Sequence, residues 1–356
     1  MAFPLKTLFA AAAMTGLLAS PAPLLAAEKT DFKIAWTIYA GWMPWPYAQE
    51  HGIVKKWADK YGISIEFQQI NDYVESINQY TAGKFDGVLV TNMDALTIPA
   101  AGGVDTSVVL VGDYSNGNDG VVLKGAKSLA DIKGQKVNLV ELSVSHYLLA
   151  RGLDSIGLKE SDVSTVNTSD ADIVAAAASP DVTAVVAWNP QLAEIKKSPD
   201  MTEVFDSTKI PGEIMDLAVV NTETLKDNPK LGKALAGAWF ETLALMARDD
   251  AEGKAAREEM AKLSGTDLPG YDAQLKTTYL YTDPKDAAAF TRSDDIVKYM
   301  DLVRSFSFEH NLLGEGAASK DVVGIAFPGG KVLGDAANVK LRFDDTYEQL
   351  AADGKL

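Results

Sequence analysis

The segment Trp36-Thr-Ile-Tyr-Ala-Gly-Trp-Met-Pro-Trp-Pro-Tyr47 joins an apolar run, Phe32 to Trp36, to a helical pattern, Ala48 to Lys60. A strand that feeds a helix through a loop is the opening unit of an α/β sheet. In such sheets, ligands bind outside the carboxyl ends of the strands. Trp42, Trp45 and Tyr47 fall among Gly41, Pro44 and Pro46, so the rings are expected in the loop. Proline-braced aromatics there predict Trp42 and Trp45 as walls of a small-molecule pocket. Packing beneath the loop as core is the other reading for each ring.

Outward from this segment, strand and helix patterns alternate. Ile63–Gln69 alternates with period two, Asp72–Ala82 reads as a helix, and 86–91 is an apolar strand ending at Asn92-Met-Asp94. A helix then runs to Ala101 and a strand covers Ser107–Val111. This βαβαβ rhythm predicts a mostly parallel sheet covered by helices. A turn-rich break, 112–120, precedes a second series: strands at 120–124, 136–140, 163–167, 182–187 and 202–205, with helices 145–156, 170–178 and 191–197 between them. A second break, 208–213, leads to a strand at 216–221. Beyond it the chain reads as mainly helical, over 229–249, 251–263, 283–290 and 294–309, with a tail of loop and short strand. Two breaks predict one lobe inserted into another: lobe one from 31–113 plus 216–356, lobe two from 114–215. A hinge of two crossings implies a cleft that closes on a ligand.

Composition narrows the function. The 356 residues suffice for two domains. A formal net charge of -16 disfavours nucleic acid and anionic membrane surfaces as partners. The absence of cysteine excludes disulfides, thiolate chemistry and a lipoprotein anchor. The three histidines, His51, His146 and His310, are far apart in sequence and show no metal-ligand spacing, so no metal and no cofactor are expected. Residues 1–27 read as a secretory signal: Lys6, an apolar run from Leu8 to Leu18, then a small-residue cleavage region ending at Ala27. The expectation is an exported, periplasmic protein.

The signal region, the strand–loop–helix opening, the step Thr81-Ala-Gly-Lys-Phe-Asp86 before a strand and the step Leu129-Ala-Asp-Ile-Lys-Gly-Gln-Lys136 resemble solute-binding proteins of ABC importers. They are most similar to the nitrate/sulfonate/taurine-type group; Ile132 and Gln135 depart from its commonest form. Thr37-Ile-Tyr-Ala-Gly-Trp-Met-Pro-Trp45 further resembles a branch associated with urea carboxylase operons and guanidine breakdown. The resemblance implies a two-lobed periplasmic-binding-protein fold, a membrane permease as partner, a small-molecule ligand and a monomer.

The loops at the strand ends contain no Lys or Arg. They do contain Asp72, Asp94, Asp119, Glu141 and Asp216, with Asn92, Ser143 and Trp188 beside them. An anion would meet these acids without a counter-charge. Guanidinium fits better: carboxylates take its N–H rim in bidentate pairs and tryptophan faces take its flat sides. Glu141 and Asp216, in opposite lobes, are expected to bridge one cation. Urea needs a donor for its carbonyl, which Asn92, Asn189 or Ser143 can give, and it would leave a desolvated carboxylate unpaired. Asp72 and Asp94 also stand where helix N-caps stand, and Asp119 where a turn is shaped. The expected ligand set is Trp42, Trp45, Asp72, Asn92, Asp94, Asp119, Glu141, Ser143, Trp188 and Asp216. The competing ligands are urea, an amine, taurine and nitrate. The competing class is an enzyme on the same fold, similar to the thiamine-pyrimidine synthases, which the scarcity of His and lack of Cys disfavour.

Overall fold

The computed structural model describes residues 28–356 together with Met1. The secretory reading of residues 1–27 lies outside the described residues. Among these, no helix is long and apolar enough to cross a membrane.

Fourteen strands form two sheets. They are β1 (Asp31–Trp36), β2 (Ser64–Gln69), β3 (Gly87–Thr91), β4 (Thr106–Ser115), β5 (Asp119–Lys124), β6 (Lys136–Leu139), β7 (Ser164–Asn167), β8 (Ala184–Trp188), β9 (Met201–Asp206), β10 (Met215–Asn221), β11 (Thr278–Leu280), β12 (Gly324–Ala326), β13 (Val332–Leu333) and β14 (Val339–Phe343). The first sheet has the order β13-β12-β14-β4-β10-β3-β1-β2, with β11 on β4; the second has the order β7-β6-β8-β5-β9. Fully buried strands such as β3 and β8 are continuous apolar runs, as sheets covered on both faces require. Together the sheets and their helices make the two-lobed α/β periplasmic-binding-protein fold.

The sheets are mixed rather than mostly parallel. β1 pairs parallel with β2 and β3, but β10 runs antiparallel to both β3 and β4. The cause is the return from the second lobe, because a chain that leaves along β4 comes back pointing the other way. In the second sheet, β5 is antiparallel to β8 and β9 for the same reason.

The aromatic segment folds differently from the expectation. Pro44 starts a helix, Pro44–Glu50, so Trp45 and Tyr47 are helical rather than in a loop. Proline is favoured in a first helical turn, where its missing N–H has no intrahelical partner to lose. Gly52, at φ 71°, separates this helix from Ile53–Tyr61, which breaks the single helix expected there. Trp45 turns into the core, stacked between Phe67 and Trp239 at ring-centroid distances of 4.7 and 4.9 Å. It is a core residue and not a pocket wall. Trp45→Ala should therefore destabilise the protein by about 3–5 kcal/mol in urea unfolding, with ligand affinity of the folded protein changed less than about threefold.

Candidate functional site

The register of β4 with β10 sets Asp113 directly opposite Asp216. Opposed residues of an antiparallel pair present their side chains on one face, so the two carboxyl groups lie side by side within hydrogen-bonding reach. The Tyr39 hydroxyl donates to Asp113 Oδ1 at 2.8 Å and stands 3.2 Å from Thr278 Oγ1. Gly41 is required by this approach: a Cβ there would lie 2.6 Å from Asp113 Oδ2 and 2.5 Å from the Tyr39 ring. Asp119, at the first position of β5, adds a third carboxyl group and accepts from Ser115 Oγ at 2.5 Å. Asn118 beside it is fully buried, and neither atom of its amide has a partner among the described residues.

Burial dominates the electrostatics. It pushes Asp113 up to about 7, although the hydrogen bonds from Asp216 and Tyr39 pull the other way. It pushes Asp119 up to about 6. Asp216 is also raised well above the ordinary carboxylate range, by burial first and then by the adjacent charge of Asp113. Three acids in one dry place cannot all ionise without a cation among them.

Asp119 and Asp216 border a small cavity of about 20 Å³ between the lobes, with Asn118, Thr37 and Thr91 as its other polar walls. That volume suits one or two waters or a solute of a few heavy atoms. Tyr39, Trp42, Tyr73 and Trp188 supply the ring walls, and Val144 and Ile214 complete the lining. The rings form a band across the cleft: Tyr39 meets Trp42 edge-on at 5.1 Å, Trp42 meets Tyr73 at 6.2 Å, and Tyr73 meets Trp188 edge-on at 5.6 Å. Among the described residues, no Lys or Arg lines this cavity. A wider vestibule of about 470 Å³ adjoins it at Thr37 and carries Asp170, Glu194 and Lys197.

The lobes are shut over the cavity. The Tyr73 amide donates to Asp170 Oδ1 at 3.0 Å, the Ala40 amide to the Asn189 carbonyl at 3.3 Å, and Asn189 Nδ2 to Thr277 Oγ1 at 3.2 Å.

Of the residues singled out in the sequence, Trp42, Asp119, Trp188 and Asp216 line the cavity. The others do not. Asp72 caps the helix Tyr73–Thr81, accepting from the Glu75 amide at 2.8 Å. Asn92 is consumed by the hinge: its Nδ2 donates to the Glu213 carbonyl and its Oδ1 accepts from the Met215 amide, both at 3.0 Å. Asp94 sits behind the band, accepting from the Tyr73 and Thr91 hydroxyls at 2.8 Å, and burial pushes it up to about 6. Ser143 caps the helix Val144–Ser155. Glu141 does not face Asp216. It lies with Asp72 in a separate groove of about 290 Å³ and takes a hydrogen bond from the Thr165 hydroxyl. Its strand, β6, is one removed from β5, so its end opens beside the cavity rather than into it.

The expected ligand set omits Tyr39, Tyr73, Asp113 and Asn118, although Tyr39, Asp113 and Asn118 lie in loops expected at the cleft. Tyr73 sits in a helix by pattern. Its signal was position, because the first residue after a cap points its side chain back over the strand ends. Asp113 was counted as a turn residue because β4 was ended too early, at Val111 rather than Ser115.

Comparison with solved structures places the fold among binding proteins. The alkanesulfonate-binding protein SsuA of Xanthomonas axonopodis pv. citri, solved with MOPS bound, superposes with a TM-score of 0.67 at 16% identity, covering 82% of this chain and 96% of that one. The periplasmic aliphatic sulphonate binding protein SsuA of Escherichia coli gives 0.66 at 18% identity, covering 80% and 94%. The periplasmic nitrate-binding protein NrtA of Synechocystis PCC 6803 gives 0.57 at 15% identity, covering 92% and 99%. In sequence, a Brucella abortus protein provisionally named a binding protein is 26% identical over 180 residues, 50% of this chain and 56% of that protein. The chain thus spans little more than half the length of that relative. The NMT1/THI5-like family profile matches residues 44–252. That match extends over more than half of the sequence, and the chain belongs to the NMT1/THI5-like family.

Proposed function

We propose that this protein is the periplasmic solute-capturing component of an ABC importer, that it delivers its ligand to a membrane permease without chemistry, and that the ligand is guanidinium. The observation that carries the ligand is the cavity lining: two carboxylates, a third behind them, four aromatic rings and no Lys or Arg. A planar cation takes carboxylates at its rim and ring faces above and below. An anion has neither. The solved neighbours named for sulfonates and nitrate support the capture mechanism, and the acidic lining argues for a ligand of opposite sign. The same division of labour is consistent with lobe one at 31–113 plus 216–356 and lobe two at 114–215.

A second reading, urea, is favoured by one observation. The raised Asp113 and Asp216 keep a carboxyl proton near neutral pH, and a protonated acid together with the unpaired Asn118 amide can serve a neutral solute. Calorimetry on the purified protein decides. Saturable one-to-one binding of guanidinium, with none of nitrate or taurine, is the expected result. Tighter binding of urea, nitrate or taurine overturns it. Trp188→Ala and Trp42→Ala should each weaken guanidinium by about 2- to 30-fold, the range of a lost cation–π contact of about 0.5–2 kcal/mol.

A further inference from the structure

On a different side of the lobe interface, three side chains far apart in sequence converge. His146 lies in the first turn of the helix Val144–Ser155, and Glu160 opens a short turn in the same lobe. His310 follows the helix Asp294–Glu309 of the other lobe. Glu160 stands between them, with Oε1 2.8 Å from His146 Nε2 and Oε2 2.5 Å from His310 Nε2. From this geometry we infer a divalent transition-metal site, with zinc its best fit, that clips the two lobes together through His146 Nε2, Glu160 and His310 Nε2.

The chemistry of the donor set supports zinc. Two imidazoles and one carboxylate are a recurrent three-residue zinc set, with water as the fourth ligand. The candidate ligand atoms already lie within 4.8 Å of one another. Tetrahedral zinc with bonds near 2.1 Å separates its ligand atoms by roughly 3.3 Å, so each pair adjusts by roughly 1.5 Å or less. His310 is oriented for the role: its Nδ1 is hydrogen-bonded to the Phe306 carbonyl at 2.8 Å, which leaves Nε2 for the metal. The Phe306 ring stacks on His310 at 3.9 Å and meets His146 edge-on at 6.0 Å, forming an apolar wall on one flank. Glu160 remains one-third exposed, so an ion can enter. His146 requires one local change. The Leu142 amide donates to its Nδ1 at 3.2 Å, and a metal at Nε2 needs the proton on Nδ1, so this amide must turn away. Leu142 itself is exposed and stands in a turn at φ 62°, between the buried Val140 and Ser143.

The test uses the metal alone, with no organic ligand present, so it succeeds or fails independently of the guanidinium reading. Zinc chloride is titrated into chelator-treated protein by calorimetry, and Co²⁺ is added in parallel for its visible absorption. The expected result is one-to-one zinc binding, a Co²⁺ spectrum of tetrahedral type, and a loss of at least tenfold in zinc affinity in His310→Gln and in Glu160→Gln. Dyes on the two lobes should report a shorter interlobe distance with zinc in the wild type and no change in His310→Gln. His146→Ala is predicted to behave as His310→Gln does; if it fails to fold, the other two variants still decide. Absence of saturable binding overturns the proposal. Binding indifferent to His310→Gln also overturns it and leaves a hydrogen-bonded clasp only.

Discussion

Asp216→Asn should reduce guanidinium affinity by about 30-fold or more, since removing one partner of a desolvated charge pair costs about 2–5 kcal/mol. The same substitution should raise the thermal stability of the unliganded protein. In the free state Asp216 is squeezed against Asp113 with Asp119 nearby, and its amide counterpart carries no charge to repel. A variant that binds worse and melts higher distinguishes a ligand contact from a structural residue, whose loss lowers both. Asp59→Asn, on an exposed helix face where Asp59 pairs only with Lys55, should leave both measurements unchanged. Binding by Asp216→Asn equal to that of Asp59→Asn would remove Asp216 from the site. Glu141→Gln should now fall with Asp59→Asn, because the groove that holds Glu141 is separate from the cavity.

Guanidinium affinity should fall as the pH is lowered through 7 and 6, by about tenfold per unit for each proton that the cation must expel on binding. The groups responsible are Asp113, raised to about 7, Asp119, raised to about 6, and Asp216, raised by burial first and then by the charges of the other two. Stability has the matching sign. Each of these carboxyls binds its proton more tightly folded than unfolded. Their contribution is fully present below the ordinary carboxylate value and is lost as the pH rises through the folded values. Unliganded protein should therefore lose stability between about pH 4 and 7 from this cluster, and guanidinium should restore most of it above pH 7. Titrations by calorimetry at pH 5, 6, 7 and 8 read the first effect and thermal melts read the second. Affinity that is flat or rises toward pH 5 would favour urea, which gains from the protonated acid.

The α/β class could be read from the chain because it rests on local patterns. The period-two strands, the apolar runs of β3 and β8, and the turn-rich stretches near 116 and 210 each carry their own signal. The cavity was legible only in part. Trp42, Asp119, Trp188 and Asp216 stand at strand ends, where topology alone puts a residue at the cleft. Trp45 was lost because Pro44, read as loop bracing, in fact begins a helix, and one residue of helical rotation sends the ring inward. Glu141 was lost because sheet order, unlike strand order, is not written locally: nothing near β6 says that β8 and β5 will lie between its end and Asp216. The helices Leu268–Leu275 and Thr346–Ala352 were missed as well, since both are short and mixed in pattern. The meeting of His146 with His310 spans two lobes and 164 positions, beyond the reach of any spacing rule.

β4 and β10 remain zipped until Ser115 accepts its last bridge, its amide donating to the Ile214 carbonyl at 2.9 Å. They therefore act as the spine of a book whose two covers are the lobes. Asp113 and Asp216 are printed on that spine, and Asp119 stands three residues past Asn116, where the page begins to turn. Opening the covers should carry Trp188 and its register partner Asp119 away from Tyr73, while Asp113 and Asp216 stay together across β4 and β10. The proposed cation should therefore dock first on Asp113 and Asp216, displacing a carboxyl proton, before the aromatic cover closes on it; the acids should then govern its capture rate and the tryptophans its residence time.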